Sequence, residues 1–146
     1  MSGETVTDAD YQALAVFRYA LRRFLRYSTE AAALLGLESQ QYQALLAIRG
    51  RNGHQRMTIG ELAEEMQIRP NSAVGMARRL EERGLIERRR GESDRRQVFL
   101  ALTESGKDVL EKLAGAHKAE LKRAAPAFDV LIRQLEPATE GGAIPS

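Results

Sequence analysis

Cysteine is absent from this 146-residue chain, which removes disulfides, thiolate zinc sites, thiol nucleophiles and cysteine-based redox sensing at once. Histidine is nearly absent too: His54 and His117 stand far apart in sequence, with no carboxylate pair beside either, a poor basis for a metal site. No uninterrupted apolar run reaches the roughly 18 residues that a membrane span needs. The first ten residues, Met1 to Asp10, are acidic and lack the basic-then-apolar layout of a secretion signal, so a cytoplasmic protein without a membrane partner is expected. No nucleophile sits beside a base, and no paired carboxylates or cofactor motif appear. Catalytic residues and cofactors are therefore not expected, and an enzyme is disfavoured.

What the chain does have is arginine in one place. The formal net charge is only +2, but its distribution is uneven. Residues 1–30 hold four basic and four acidic groups, 31–68 three and four, and 97–146 six and seven; residues 69–96 hold nine arginines, five acids and no lysine. Within that block, "RRRGESDRR" places five arginines in nine positions, 88 to 96. An isolated charge run is usually a solvated loop. Arginine's fork, however, suits phosphate oxygens and base edges, so an all-arginine patch also points to nucleic acid.

With 43% hydrophobic residues, the chain has enough apolar material for one domain over 1–146. Thr7 or Asp8 is placed to cap a long helix ending near Leu35, with Gly36 as its stop. One stripe of that helix carries Leu14, Phe17, Leu21, Phe24 and Ser28, and another carries Val16, Ala20, Tyr27, Ala31 and Leu34. For a helix apolar on two sides, a partner chain is one way to bury the second. Ser39 is expected to cap a second helix through "QQYQALLAIR" to Gly50, and "GRNGHQR" reads as a loop containing an exposed His54.

"TIGELAEEM" starts with a capping box between Thr58 and Glu61, predicting a short helix over 59–66. "NSAVGMARRLEERG" predicts a second, capped by Asn71, closed by Gly84 and apolar at Ala73, Val74, Ala77 and Leu80. The pair has helix-turn-helix spacing. In "QVFLAL" the period changes: Val98, Leu100 and Leu102 alternate with Gln97, Phe99 and Ala101, "LIER" supplies a partner strand, and the arginine tract becomes a hairpin tip. The fold class is therefore mainly α with a small β-hairpin wing, a winged helix-turn-helix lobe over 38–102. Thr103 is expected to cap a helix with Val109, Leu110, Leu113, Ala114, His117 and Leu121 on one face. Pro126 fits the first turn of a last helix with Phe128, Leu131, Ile132 and Leu135, and the tail 137–146 is expected to be disordered.

The order of elements together with "SDRRQVFLALTESG" resembles the MarR (multiple antibiotic resistance regulator) family over about residues 8–136. The family's wing signature, Asp-x-Arg, five residues, then Leu-Thr, reads here as Asp94, Arg96, Leu102 and Thr103, and "LEERGLIERR" matches its passage from recognition helix to wing. That resemblance implies a homodimer held by helices within 8–36 and 103–136. It also implies two lobes on a pseudo-palindromic site in double-stranded DNA, usually as a repressor, and often an aromatic or phenolic effector between lobe and dimer region. A winged-helix interaction module without specific DNA binding is the alternative.

By that resemblance Arg96 is the minor-groove arginine, against a plain ion pair with Asp94, and Asp94 shapes the wing. One or two of Arg88, Arg89, Arg90 and Arg95 are expected to reach phosphates. Pro70, Asn71, Ser72 and Val74 lie at the recognition-helix entry, although Ser72 also suits a helix-start hydrogen bond. Arg78 and Arg79 suit flanking phosphates unless Glu81 or Glu82 pairs with them. Gly75 departs from the family, many members of which carry a large polar residue there. Arg18, Arg22, Tyr27 and Tyr42 are candidates for an effector pocket, against ordinary packing, and His117 reads as a satisfied core or interface histidine.

Overall fold

A computed structural model of the chain describes residues 5–51 and 56–136. His54 and the tail 137–146, for which exposure and disorder were expected, lie outside the described residues. Five helices and one hairpin follow in the order α1 (Asp8–Leu34), α2 (Ser39–Gly50), α3 (Ile59–Met66), α4 (Pro70–Glu82), β1 (Ile86–Arg90), β2 (Val98–Leu102) and α5 (Glu104–Leu135). Two compact units result: Ser28–His117, and the residues up to Tyr27 together with those from Lys118. None of the described helices is long and apolar enough to cross a membrane.

The Ser28–His117 unit closes over a core in which Leu45, Ile48, Met57, Leu62, Leu80 and Leu100 retain no exposed surface. Each element gives the core one face. Helix α4 buries Ala73, Met76, Ala77 and Leu80 and leaves Val74 half-buried, so Met76 joins the expected stripe at the i, i+3, i+4, i+7 spacing of one helix face. Helix α3 starts on the expected box: the Glu61 N–H donates to Thr58 Oγ1 at 3.1 Å and the Thr58 N–H to Glu61 Oε1 at 2.9 Å. Arg51 reaches back to the same carboxylate. The Thr58 backbone bond first, and the Arg51 charge further down, hold Glu61 below the usual carboxylate range despite its partial burial.

Four expectations need correction. Pro70, not Asn71, opens α4, with Arg69 as the cap. Proline lacks the N–H that is orphaned in a first turn anyway, and its fixed φ is already helical. Ser39 is likewise the first residue of α2 rather than its cap: the Glu38 N–H donates to Gln41 Oε1 at 2.9 Å, and the Ser39 hydroxyl accepts from Gln43 Nε2 at 3.1 Å. Pro126 begins no new helix but lies inside a single 32-residue α5. Proline removes one helical hydrogen bond, and Pro126 is exposed, where water can take the freed carbonyl.

The fourth correction concerns the arginine tract. Arg88, Arg89 and Arg90 are not in the hairpin tip but in β1, opposite Leu100, Phe99 and Val98 of β2. Strand β1 buries only Ile86, so pairing rather than apolar alternation makes it a strand. Strand β2 buries Leu100, Ala101 and Leu102 in succession. The break in alternation has a cause. Met57 bridges the other edge of β2, donating to Leu100 O at 3.2 Å and accepting from its N–H at 2.7 Å. Thr103 then closes the hairpin base, its hydroxyl donating to Gly84 O at 2.6 Å while accepting from the Gly106 N–H at 3.0 Å.

In the other unit, Phe17 of α1 and Phe128 of α5 meet edge to face with ring centroids 5.5 Å apart, and Gln134 Nε2 donates to Asp10 Oδ1 at 2.9 Å. Ala13 is buried, Phe17, Leu21 and Phe24 are half-buried, and Tyr11, Leu14, Val16, Leu25, Ile132 and Leu135 are exposed apolar side chains.

Candidate nucleic-acid interface

Helix α4 turns one face to the core, and the opposite face carries Asn71, Arg78 and Arg79 exposed, with Gly75 between them. Ser72 and Pro70 are exposed at its start. No acid occupies the first turn, so nothing offsets the positive end of the helix dipole. The glutamates once eligible to neutralise Arg78 and Arg79 do not: Glu81 is taken by Arg88, and among the described residues neither α4 arginine makes an ion pair. Arg69, which sequence reasoning passed over, is exposed at the cap of α4. Its place in the nine-arginine block was the available signal.

The hairpin treats its arginines differently. Arg88 Nε bonds Glu81 Oε1 at 2.7 Å, Arg89 Nε bonds Glu87 Oε1 at 3.0 Å, and Arg90 donates to the Arg95 carbonyl at 2.9 Å. These three brace β1 and the tip. The turn itself, residues 91–97, is shaped by Asp94, whose Oδ1 accepts the Arg96 N–H at 3.0 Å while Asp94 O accepts the Gln97 N–H at 3.1 Å. Gly91 is needed here, since a Cβ would stand 2.7 Å from Asp94 O. Arg96 Nε lies 3.3 Å from Asp94 Oδ1, but its side chain is 93% exposed. Such an ion pair is worth little and leaves the outer guanidinium nitrogens available. Arg95 is exposed and makes no ion pair among the described residues.

The effector candidates fall in different units. Arg18 and Arg22 are exposed and Tyr27 half-buried on the part of α1 outside the Ser28–His117 unit. Tyr42 lies within it, 5% exposed and stacked on His117 at 4.2 Å between ring centroids. Burial pushes its phenol above the usual tyrosine range. His117 is satisfied on both nitrogens. A carbonyl only accepts, so Nδ1 donates to Leu113 O at 2.6 Å, and Nε2 lies 2.7 Å from Ser28 Oγ.

Residues 35–97, which hold this helix-turn-helix and the hairpin up to its tip, match the model of the MarR family. Over that stretch the chain is similar to the MarR family. MdtR, a transcriptional repressor of Bacillus subtilis, is 33% identical over 92 residues, 60% of this chain and 59% of that one. The organic hydroperoxide resistance transcriptional regulator of the same organism is 35% identical over 78 residues, 53% of this chain and 51% of that one. The chain thus spans between half and three-fifths of these two relatives. Among solved structures, the MarR-family regulator AbsC of Streptomyces coelicolor superposes with a TM-score of 0.66 at 25% identity, over 92% of this chain and 86% of that one.

Proposed function

We propose that this chain is a MarR-family, sequence-specific DNA-binding transcriptional regulator that acts as a homodimer, inserting α4 into the major groove and laying the 91–97 turn along the backbone and adjoining minor groove. The observation that carries this reading is the outward cationic set Arg69, Arg78, Arg79, Arg95 and Arg96, none of them buried and, among the described residues, only Arg96 touching an acid. Asn71 and Ser72 supply the polar side chains suited to base edges at the helix entry, with Pro70 and Val74 beside them. Arg88 and Arg90 brace the hairpin in this reading instead of contacting phosphate. Repression by blocking promoter access is the favoured mode, in keeping with the repressor among its relatives.

The dimer reading rests on apolar surface that water would otherwise cover. Tyr11 is 61%, Leu25 51%, Ile132 57% and Leu135 64% exposed, a cost that a second copy relieves. Sedimentation at micromolar concentration is expected to find a dimer, and a stable monomer contradicts it. A two-fold dimer reads an inverted repeat with half-site centres about 10 to 11 base pairs apart. Mobility shift and footprinting on the chain's own upstream DNA test both points. Protection of a direct repeat, or no retarded species at all, overturns the reading in favour of an interaction module. An aromatic effector has less support: Tyr42 is 5% exposed and stacked on His117, so it offers a ligand little surface.

A further inference from the structure

Gly75 is an odd residue for the middle of α4. Glycine inside a helix is destabilising relative to alanine, and packing within the chain does not demand it. A Cβ built at Gly75 meets only Arg79 Nη1, at 3.5 Å, an ordinary contact with the end of a flexible side chain. Gly106 shows what a packing requirement looks like: its Cβ would stand 2.0 Å from Leu85 O. Gly60 and Gly115 are as open as Gly75, but no cation crosses them.

The contact with Arg79 follows from helix geometry. Side chains lean toward the helix N-terminus, so the residue at i+4 lies over residue i. The guanidinium of Arg79 therefore comes back across the bare centre of the outward face. It is not drawn aside, because among the described residues Arg79 makes no ion pair and Glu81 is held by Arg88 at 2.7 Å.

We propose that Gly75 and Arg79 form one base-reading unit, in which the missing side chain lets the α4 backbone approach the floor of the major groove and Arg79 takes the vacated place to read a guanine. Guanine is the base that presents two acceptors, O6 and N7, to a forked donor in that groove. This assigns Arg79 to a base, leaves the flanking phosphate to Arg78, and rests on the DNA-binding reading above. Either change to the pair disturbs the unit: a side chain at 75 holds the backbone off, and a shorter one at 79 leaves the guanine unread.

The test is selection by the full-length protein from a duplex library with a randomised 20-base-pair core, followed by anisotropy on the selected duplex with each base pair changed in turn. Wild type is expected to show a symmetric pair of G·C positions at which any other base costs about tenfold to a hundredfold. Arg79→Ala should erase that preference alone and keep the preferences set elsewhere. Arg79→Lys should keep affinity for the selected duplex but flatten the same preference, since an ammonium lacks the fork. Arg78→Ala should weaken every duplex alike. Gly75→Ala should melt no lower than wild type by circular dichroism and still bind the selected duplex at least about fivefold more weakly. If Arg79→Ala keeps the guanine preference, or weakens all duplexes equally, Arg79 is a phosphate contact and the inference fails while the DNA-binding reading stands. If Gly75→Ala binds as wild type does, close backbone approach is refuted. If wild type selects no sequence, the DNA-binding reading and this inference fall together.

Discussion

On α4, Arg78 and Arg79 are exposed and make no ion pair among the described residues; on β1, Arg88 and Arg89 are each closed onto a glutamate. Both segments come from the same arginine-rich block, and the densest part of it, Arg88 to Arg90, is the part most occupied with the protein itself. Count of charge and availability of charge are therefore different quantities. Strand β1 buries only Ile86, so its arginines lie along the surface within reach of Glu81, Glu87 and the Arg95 carbonyl, while the buried side chains of β2 hold the hairpin. Helix α4 is held by the buried Ala73, Met76, Ala77 and Leu80 and has its outward arginines to spare.

This contrast is most easily broken at the hairpin base. Leu100 is fully buried and bridged to Met57, so Leu100→Ala should cost about 2–5 kcal/mol in urea unfolding and abolish DNA retention in a mobility shift. If α4 binds DNA independently of a formed hairpin, retention will survive the loss. Next in size, Thr58→Ala should cost about 1 kcal/mol, because it removes the cap of the helix that buttresses α4. Glu61 adds a pH signature to that cap. Its folded value is lowered from the ordinary 4.5, so its contribution is present above about pH 4.5 and lost as pH falls through the lowered value. Glu61→Gln should flatten the acid limb of a stability-against-pH curve measured by circular dichroism, and an unchanged limb would show that the carboxylate is not engaged. The smallest effect is expected for Arg88→Gln, below about 1 kcal/mol in unfolding, since an exposed ion pair contributes little.

Where the sequence could be read correctly, the information was local. The Thr58–Glu61 box, the stop at Gly36 and the hairpin turn at Asp94 each lie within a few residues, and the matching hydrogen bonds are found. What was misread was non-local or a contest between two local signals. Asn71 looked like a cap until Pro70 claimed the first turn, and Pro126 looked like a start because neither neighbouring turns nor its exposure could be seen. The strand character of Arg88 to Arg90 depends on pairing with Phe99 and Leu100, and the pairing of Arg88 with Glu81 joins residues from different elements. The outward exposure of Asn71, Ser72, Arg78 and Arg79 on α4 was legible by spacing, but the posture of Arg79 over Gly75 was not.

The most direct test of the unequal use of arginine is the salt dependence of binding to a single duplex by two double variants, Arg78→Gln with Arg95→Gln, and Arg88→Gln with Arg89→Gln. Each lost phosphate contact lowers the log-log slope by about 0.9, so the first pair should flatten it by roughly 1.8 and weaken binding at every salt concentration. The second pair should leave slope and affinity near wild type. If instead the second pair flattens the slope as much as the first, the arginines of β1 meet phosphate, and the division between bracing and binding arginines is wrong.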